Sequence, residues 1–231
     1  MTPVDSRVDE TLRWLEKRGT KANRDGMARY GIVADKVFGV SMATMKAQAK
    51  LLGKDHDLAL ALWDSGWYEA RILTSFVDDP LRVTPSQMDR WARDFDNWAI
   101  CDSICFHLFD KTPHAWAKID QWSTRKDEFI KRGAFALLAA VALHDKKAPD
   151  APFMKSLKVI EKAADDDRNF VKKGVSWALR SVAHRNKNLH SASLALAEKL
   201  AASDDKTKRW IGKDVVKDIT RPLILKKISK K

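Results

Sequence analysis

One carboxylate stands inside an apolar segment, one helical turn after a tryptophan. The segment is NWAICDSICFHLF, at 97–109, and its acid, Asp102, follows Trp98 by four residues. Residues four apart on a helix differ by about 40° in direction, so both side chains point the same way. An indole face attracts cations, and a carboxylate beside it adds a full negative charge. The pair therefore predicts a site for a positively charged group.

A second tryptophan with charged neighbours lies in the later segment FVKKGVSWALRSVAHRN. Trp177 is the only tryptophan of this segment, with Lys173 four residues before it and Arg180 three residues after it. A tryptophan between two cations on one helix face is not typical of a simple packing residue. If this indole lines the same surface as the first pair, the three side chains form an electron-rich pocket in basic surroundings.

Each of these residues also has a structural interpretation. Tryptophans in helical repeats are mostly packing residues, and Asp102 could cap a neighbouring helix or pair with a buried arginine. Cys101 and Cys105 stand four apart with no second cysteine pair, so we expect buried thiols and neither a disulfide framework nor a metal site. Five histidines show no metal-ligand spacing, and we expect them to be surface or core residues: His107, His114, His144, His184 and His190.

The elements that position these side chains are helices. Apolar residues recur at helical spacing in segment after segment, as Val8, Leu12 and Leu15 do in VDETLRWLEKRG. Helix-stop glycines follow two such segments, at Gly53 and Gly66. Glycine (9) and proline (7) are scarce, which also favours helices. We predict an all-α protein with about a dozen helices and no strand.

The helices also repeat along the chain. Aromatic residues open helices at spacings of 31, 31, 41 and 40 residues, and the starts EFIKRGAFALL and NFVKKGVSWAL are nearly copies. A period of 30 to 40 residues in a helical chain is typical of stacked helix pairs of the HEAT or armadillo kind. We therefore predict a curved solenoid of antiparallel helix pairs, forming a single domain over 1–231. The aromatic positions are Trp67, Trp98, Phe129, Phe170 and Trp210.

The chain is strongly basic, with a net charge of +12 and a pI near 9.7. An excess of this size favours a polyanionic partner, usually nucleic acid. Arg132, Lys173 and Lys213 occupy the same position in successive repeats, and Lys131 and Lys172 do so one residue earlier. Equivalent positions in a solenoid fall along one surface, so we predict a basic row in a concave groove that binds a phosphate backbone. Lysines that stand near helix starts by chance, on a merely solvated surface, are the alternative.

The two ends and the longest apolar run bear on the compartment. The start, MTPVDSRVDE, has acids and no apolar core, so we expect no secretory signal. The run AFALLAAVAL, at 134–143, is too short to span a bilayer. We therefore expect a cytoplasmic protein that does not enter membranes. The tail RPLILKKISKK, at 221–231, would either pack as a last helix or fray as a basic arm.

Several segments, in order along the chain, resemble one family. Together they cover most of residues 20–185, and the chain resembles the HEAT-like-repeat alkylpurine DNA glycosylases, the AlkD family. The resemblance rests on MARY (27–30), VFGV (37–40), LWD (62–64), W-x-x-x-D-S-I (98–104), IKRGAF (130–135) and KKGVSWALR (172–180).

The resemblance implies roles for particular residues. Trp98 and Trp177 would be aromatic walls around the deoxyribose of the damaged nucleotide, and Asp102 the catalytic carboxylate. Arg132 would contact the DNA backbone, and Tyr30 would lie beside the lesion. The family removes 3- and 7-alkylated purines from duplex DNA without a metal or cofactor and without flipping the base into a pocket. We expect a monomer of this kind, whose further DNA contacts are Lys131, Lys172, Lys173, Arg180 and Lys213.

Two other functions stay open. A non-catalytic relative that recognises distorted or branched DNA would share the basic groove but would not need Asp102. A helical-repeat scaffold for an acidic protein would share only the charge. The joint presence of Trp98, Asp102, Arg132 and Trp177 favours the glycosylase.

Overall fold

A computed structural model describes residues 3–230, and residues 1, 2 and 231 lie outside the description. Over the described range the chain forms fourteen α-helices, one short 3-10 helix and no strand, which confirms the all-α prediction. The helices are α1 (Pro3–Glu16), α2 (Lys21–Ala28), α3 (Met42–Leu52), α4 (His56–Asp64), α5 (Tyr68–Val77), α6 (Pro85–Arg93), α7 (Trp98–His107), α8 (Ala115–Trp122), α9 (Glu128–His144), α10 (Asp150–Ala163), α11 (Asn169–Ala183), α12 (Lys187–Ala201), α13 (Lys206–Ile219) and α14 (Pro222–Ile228); the 3-10 helix is Phe109–Lys111.

Short polar residues and glycines set the helix ends. The side chains of Ser41 and Thr84 accept hydrogen bonds from backbone N–H groups in the first turns of α3 and α6. Gly53 and Gly66, which follow α3 and α4, have φ values of 70° and 73°, a conformation that favours glycine. Both predicted stops are therefore confirmed.

The helices group into two compact units, the first ending at His114 and the second beginning at Ala115. In the first unit, α3 and α7 both pack on α5, and α4 packs on α1 and α5. In the second unit, α9, α11 and α13 follow one another as neighbours, while α8 packs on α9 and α12 packs on α11 and α13. Within each unit, alternate helices thus lie side by side, so that consecutive helix pairs stack on one another. The prediction of one domain over the whole chain stays a prediction.

The longest apolar run forms the centre of the second unit. Residues 134–140 of α9 are fully buried between the neighbouring helices. In the part of the chain that the structure describes, no helix is both long and apolar enough to cross a membrane. The tail forms α14, whose Ile228 is buried, so its described part packs as a last helix. Lys231, the final residue of the predicted tail, lies outside the description.

Candidate active site

The acid and the indole singled out in the sequence lie in the first two turns of α7. Asn97 starts this helix because its side-chain oxygen accepts from the N–H groups of Ala99 and Ile100, each at 3.0 Å. Trp98 is therefore the first helical residue, and Asp102 follows one turn later. Both side chains are half-buried. They are neither sealed in the core nor fully solvated, which leaves them accessible to a ligand.

The neighbouring surface of α7, which carries its two cysteines, is sealed. Cys101 and Cys105 are fully buried, which confirms the prediction of core thiols. Burial raises the pKa of the Cys105 thiol, with the adjacent Cys101 and Asp102 acting in the same direction. These thiols and the neighbouring apolar side chains fix the helix against the core, so the direction of the Trp98–Asp102 face is set by packing.

A long-range hydrogen bond holds the Trp98 indole. Its Nε1–H donates to the backbone oxygen of Tyr30 at 2.8 Å. Tyr30 lies in the turn after α2, and the residue is 71% exposed. The structure thus brings Tyr30 and Trp98 together through the Tyr30 main chain, and the position of Tyr30 beside a lesion stays a prediction. The phenol remains available to a ligand.

A buried glutamate fixes the loop that follows Tyr30. The Glu69 carboxylate, fully buried in α5, accepts hydrogen bonds from the backbone N–H groups of Phe38 (3.0 Å), Gly39 (2.6 Å) and Val40 (3.1 Å). The Phe38 ring also stacks on Trp67, with 3.8 Å between the ring centroids. The sequence does not indicate this role of Glu69, because a glutamate in a first helical turn commonly serves only the helix dipole.

Gly39 is required in this loop. Its φ is 86°, and an added Cβ would lie 2.4 Å from the backbone oxygen of Thr20. The Thr20 N–H in turn donates to Gly39 O at 3.0 Å. The VFGV segment that carries part of the family resemblance is therefore a tightly packed support for the turn that holds Trp98.

A second buried polar cluster in the first unit was also missed. His56 Nδ1 lies 2.6 Å from one carboxylate oxygen of Asp78, and the Gln87 amide donates to the other at 2.7 Å. Burial raises the pKa of Asp78, and the hydrogen bonds from His56 and Gln87 oppose that shift. The cluster joins the start of α4 to the end of α5 and to α6, so its role is structural.

The second predicted indole lies in the second unit. Trp177, in the middle of α11, is half-buried. Lys173 is exposed, and Arg180 is half-buried with its Nε–H donating to Ser176 O at 3.4 Å. Asp214 lies 3.9 Å from the same nitrogen. The predicted convergence of Trp177 with Trp98 and Asp102 stays a prediction.

Arg132 is buried. Only 7% of it is exposed, and its guanidinium donates to the backbone oxygen of Phe170 at 2.7 Å, which joins α9 to the start of α11. Lys173 and Lys213 are exposed, so the common surface position predicted for the three cations is wrong for Arg132. Lys213 is also the eighth residue of α13, whereas Arg132 and Lys173 are the fifth residues of their helices. A contact of Arg132 with DNA stays a prediction.

The structure shows a different repeat of cations and aromatic rings. The Arg132 guanidinium lies 6.0 Å from the centroid of the Phe170 ring, and the Lys172 ammonium lies 5.4 Å from that of Trp210. Both pairs link one helix to the next in the α9, α11, α13 series, and both span the same sequence separation. By its contacts, Arg132 therefore corresponds to Lys172, whereas the near-copies in the sequence align Arg132 with Lys173.

The comparisons with known proteins agree with this fold. A family profile described as "DNA alkylation repair enzyme" matches residues 11–215 of the 231-residue chain. The chain belongs to this family. One solved structure similar to this DNA alkylation repair family member has 19% sequence identity and a TM-score of 0.75, and the match covers 90% of this chain and 94% of that one. That structure is described as "a new family of proteins related to the HEAT-like repeat DNA glycosylases with affinity for branched DNA structures".

The structural match confirms the HEAT-like repeat fold predicted from the sequence. No curated protein matches the chain. The membership of the chain among DNA alkylation repair enzymes therefore rests on the family profile, and its fold on the solved structure.

In this alkylation repair family member, Lys131 belongs to a mostly buried ion cluster. Its ammonium lies 2.8 Å from Asp166 Oδ2, and its side chain is 16% exposed. Arg168 Nε–H donates to the other Asp166 oxygen at 2.8 Å, which gives the carboxylate two cationic partners. A Lys131 held in this way already has a counter-ion, so its predicted contact with DNA would have to compete with Asp166.

This cluster predicts a pH-dependent stability. Hydrogen bonds from Arg168, followed by those from Lys131, hold the pKa of Asp166 well below its ordinary value of 3.8. Near pH 4, Asp166 therefore binds a proton in the unfolded chain but stays ionised in the folded chain. The stabilisation that the cluster provides above that pH declines as the pH falls further. We expect Asp166→Asn to lower the free energy of unfolding by about 1–3 kcal/mol at pH 7. The deficit should shrink between pH 4 and pH 2 in urea titrations.

The neighbouring Asp165 supplies the control, since it is exposed. Asp165→Asn should change the unfolding free energy by less than about 0.5 kcal/mol at either pH. A deficit of Asp166→Asn that is equal at pH 7 and pH 2 would contradict the ion-cluster interpretation.

Proposed function

We propose that this chain is a DNA glycosylase that hydrolyses the N-glycosidic bond of cationic 3- and 7-alkylated purines in duplex DNA. The observation that carries the proposal is the pairing of Trp98 with Asp102, one turn apart on a helix whose other side is buried. The indole is held by its bond to Tyr30 O. Membership among DNA alkylation repair enzymes supports DNA as the substrate.

The chemistry of the lesion explains why one carboxylate suffices. Alkylation at position 3 or 7 makes a purine cationic, so the base leaves without being protonated by an acid. Positive charge then develops on the sugar as an oxocarbenium ion. A carboxylate and an indole face held beside that sugar stabilise the transition state more than the ground state. Asp102 would also hold, or take a proton from, the attacking water.

The remaining predicted residues would grip the DNA around this centre. Trp177 would supply a second aromatic wall for the sugar, and the exposed Tyr30 phenol would lie beside the lesion. The enzyme would select alkylated purines by their weakened glycosidic bond more than by a fitted base pocket. The base would therefore stay largely stacked in the duplex. Phosphate contacts would come from Lys172, Lys173, Arg180 and Lys213, with Lys131 and Arg132 reaching DNA only if they leave their present partners.

The proposal predicts base release by the purified protein. Duplex DNA treated with a methylating agent should release 7-methylguanine or 3-methyladenine much faster with the protein than without it. Chromatography of the released bases measures both rates. No added metal or cofactor should be required. If the protein binds this DNA but frees no base, the glycosylase proposal fails.

A second candidate is favoured by the described affinity of the similar solved structure for branched DNA. In that case the chain would bind a four-way junction more tightly than a duplex of the same length. Replacement of Asp102 would leave this binding unchanged. Junction preference without base release would support the binding protein, whereas base release from a methylated duplex would support the enzyme.

A further inference from the structure

A cleft of about 390 Å³ opens in the first unit, on the side of α3 that faces the end of α5. Its floor is apolar, with Ala49 and Phe76, and three lysines stand around it. A hydrophobic floor with a cationic rim is suited to a ligand that has a flat apolar part and several negative charges. The lining residues are Lys46, Ala49, Lys50, Gly53, Lys54 and Phe76.

The lysines follow one face of the chain at intervals of a helical turn. Lys46 and Lys50 lie four apart on α3, and both are exposed. Lys54 follows the end of α3 and donates to Phe76 O at 2.9 Å and to Asp78 O at 2.7 Å. Burial, and then the charge of Lys111, lowers the pKa of Lys54, although the nearby Asp78 and Asp79 oppose this. Lys111 thus adds one more positive charge near Lys54, and Asp78 and Asp79 add negative charge at the same end of the cleft.

The floor includes an aromatic ring. Phe76 is half-buried, and the His107 ring lies 4.6 Å from it between centroids. The Lys46 ammonium lies 5.6 Å from the Phe76 centroid, at a distance typical of a cation–π contact. Because Lys46 is exposed, its flexible side chain can move off the ring and leave a surface on which a planar group could stack.

The cleft is separate from the proposed catalytic pair. His107 is the last residue of α7, whereas Trp98 is the first. Ten helical residues extend about 15 Å, so the two features lie near opposite ends of the same helix.

We propose that this cleft binds single-stranded DNA, with one base stacked on Phe76 and the flanking phosphates at Lys46 and Lys50. Stacking of bases on aromatic rings within a basic groove is the usual way in which proteins hold single strands. In an intact duplex the bases are paired and stacked on one another, so none of them could stack on the apolar floor. The net charge of +12 and the DNA repair family favour nucleic acid over an acidic peptide. The proposal goes beyond the glycosylase activity and does not depend on it.

The test compares two double variants that remove equal charge. Lys46→Ala with Lys50→Ala alters the cleft, while Lys158→Ala with Lys162→Ala alters two exposed lysines, also four apart, on α10. Binding of a short oligothymidine is measured by fluorescence anisotropy across a salt series. We expect the cleft variant to lose about tenfold in affinity, with its log–log salt slope reduced by about 1.4 for two lost phosphate contacts. The α10 variant should stay within about twofold of wild type.

The stacking contact has its own test. Phe76→Leu keeps an apolar floor but removes the ring, and should weaken oligothymidine binding at least fivefold. An oligonucleotide that carries 5-iodouracil should crosslink on irradiation to a peptide containing Phe76 or His107. Circular dichroism checks that each variant is folded. Base release from methylated duplex, if wild type shows it, should be retained by the Lys46/Lys50 variant.

Three outcomes would overturn the proposal. Equal losses in the two double variants would mean diffuse attraction to a basic surface. Crosslinks confined to other peptides would place the single strand elsewhere. Binding of polyglutamate that depends on Lys46 and Lys50, without such dependence for oligothymidine, would assign the cleft to an acidic protein.

Discussion

Asp102→Asn is expected to lower the single-turnover rate of base release from methylated duplex DNA by about 10³-fold. The amide has nearly the same size as the carboxylate but lacks the negative charge that would stabilise the oxocarbenium ion and orient the attacking water. The charge matters most in the transition state, so affinity for methylated duplex should stay within about twofold of wild type. The measurement is release of 7-methylguanine with enzyme in excess over DNA, together with a binding titration.

Asp25→Asn is the matched control for this substitution. Asp25 lies on α2 in the first unit, and its exposed carboxylate forms an ion pair with Lys21 one turn away. The control removes the same charge from the surface and should leave base release unchanged. An Asp102→Asn rate within threefold of wild type, at unchanged affinity, would show that the carboxylate is not catalytic. A parallel loss of activity, binding and urea resistance would instead indicate a structural role.

Glu69→Gln is expected to destabilise the protein by about 2–4 kcal/mol. The wild-type carboxylate is fully buried and accepts from three consecutive backbone N–H groups. Glutamine offers only one acceptor oxygen, and its amide N–H groups would face donors that then have no partner. Urea unfolding, followed by the fluorescence of the nine tryptophans, measures the change in unfolding free energy.

The control for Glu69 is Glu198→Gln, at an exposed position on α12. It makes the same chemical change at a place where no buried N–H donors depend on the carboxylate. Its effect on the unfolding free energy should therefore stay below about 0.5 kcal/mol. If Glu69→Gln and Glu198→Gln unfold at the same urea concentration, the carboxylate does not support the loop in the way described.

Local patterns in the sequence were enough to predict much of the fold. Helix periodicity, together with Gly53 and Gly66, located helices and their ends, since these features depend on neighbouring residues. The spacing of Trp98 and Asp102 placed both side chains on one face of α7 for the same reason. The near-copies in α9 and α11 indicated stacked repeats, which the HEAT-like fold confirms.

Contacts between distant residues could not be predicted in this way. The bond from Trp98 to Tyr30 joins residues 68 apart, and Arg132 donates to a carbonyl 38 residues away. Because Arg132 aligns with lysines in the repeats, the sequence suggests a surface residue, and only its bond to Phe170 O shows otherwise. Glu69 gave no signal either, because its three partners belong to a loop without regular periodicity.

The burial of the two cysteines of α7 has a consequence for the protein under the chemical stress that creates DNA lesions. Methylating agents attack nucleophiles indiscriminately, and the cysteine thiolate is among the most reactive in proteins. Cys101 and Cys105 are fully enclosed, and burial keeps the Cys105 thiol protonated. These two sulfur atoms beside Asp102 are thus shielded from the electrophiles that damage DNA. A repair enzyme built this way would not be inactivated at these cysteines by the agents whose products it removes.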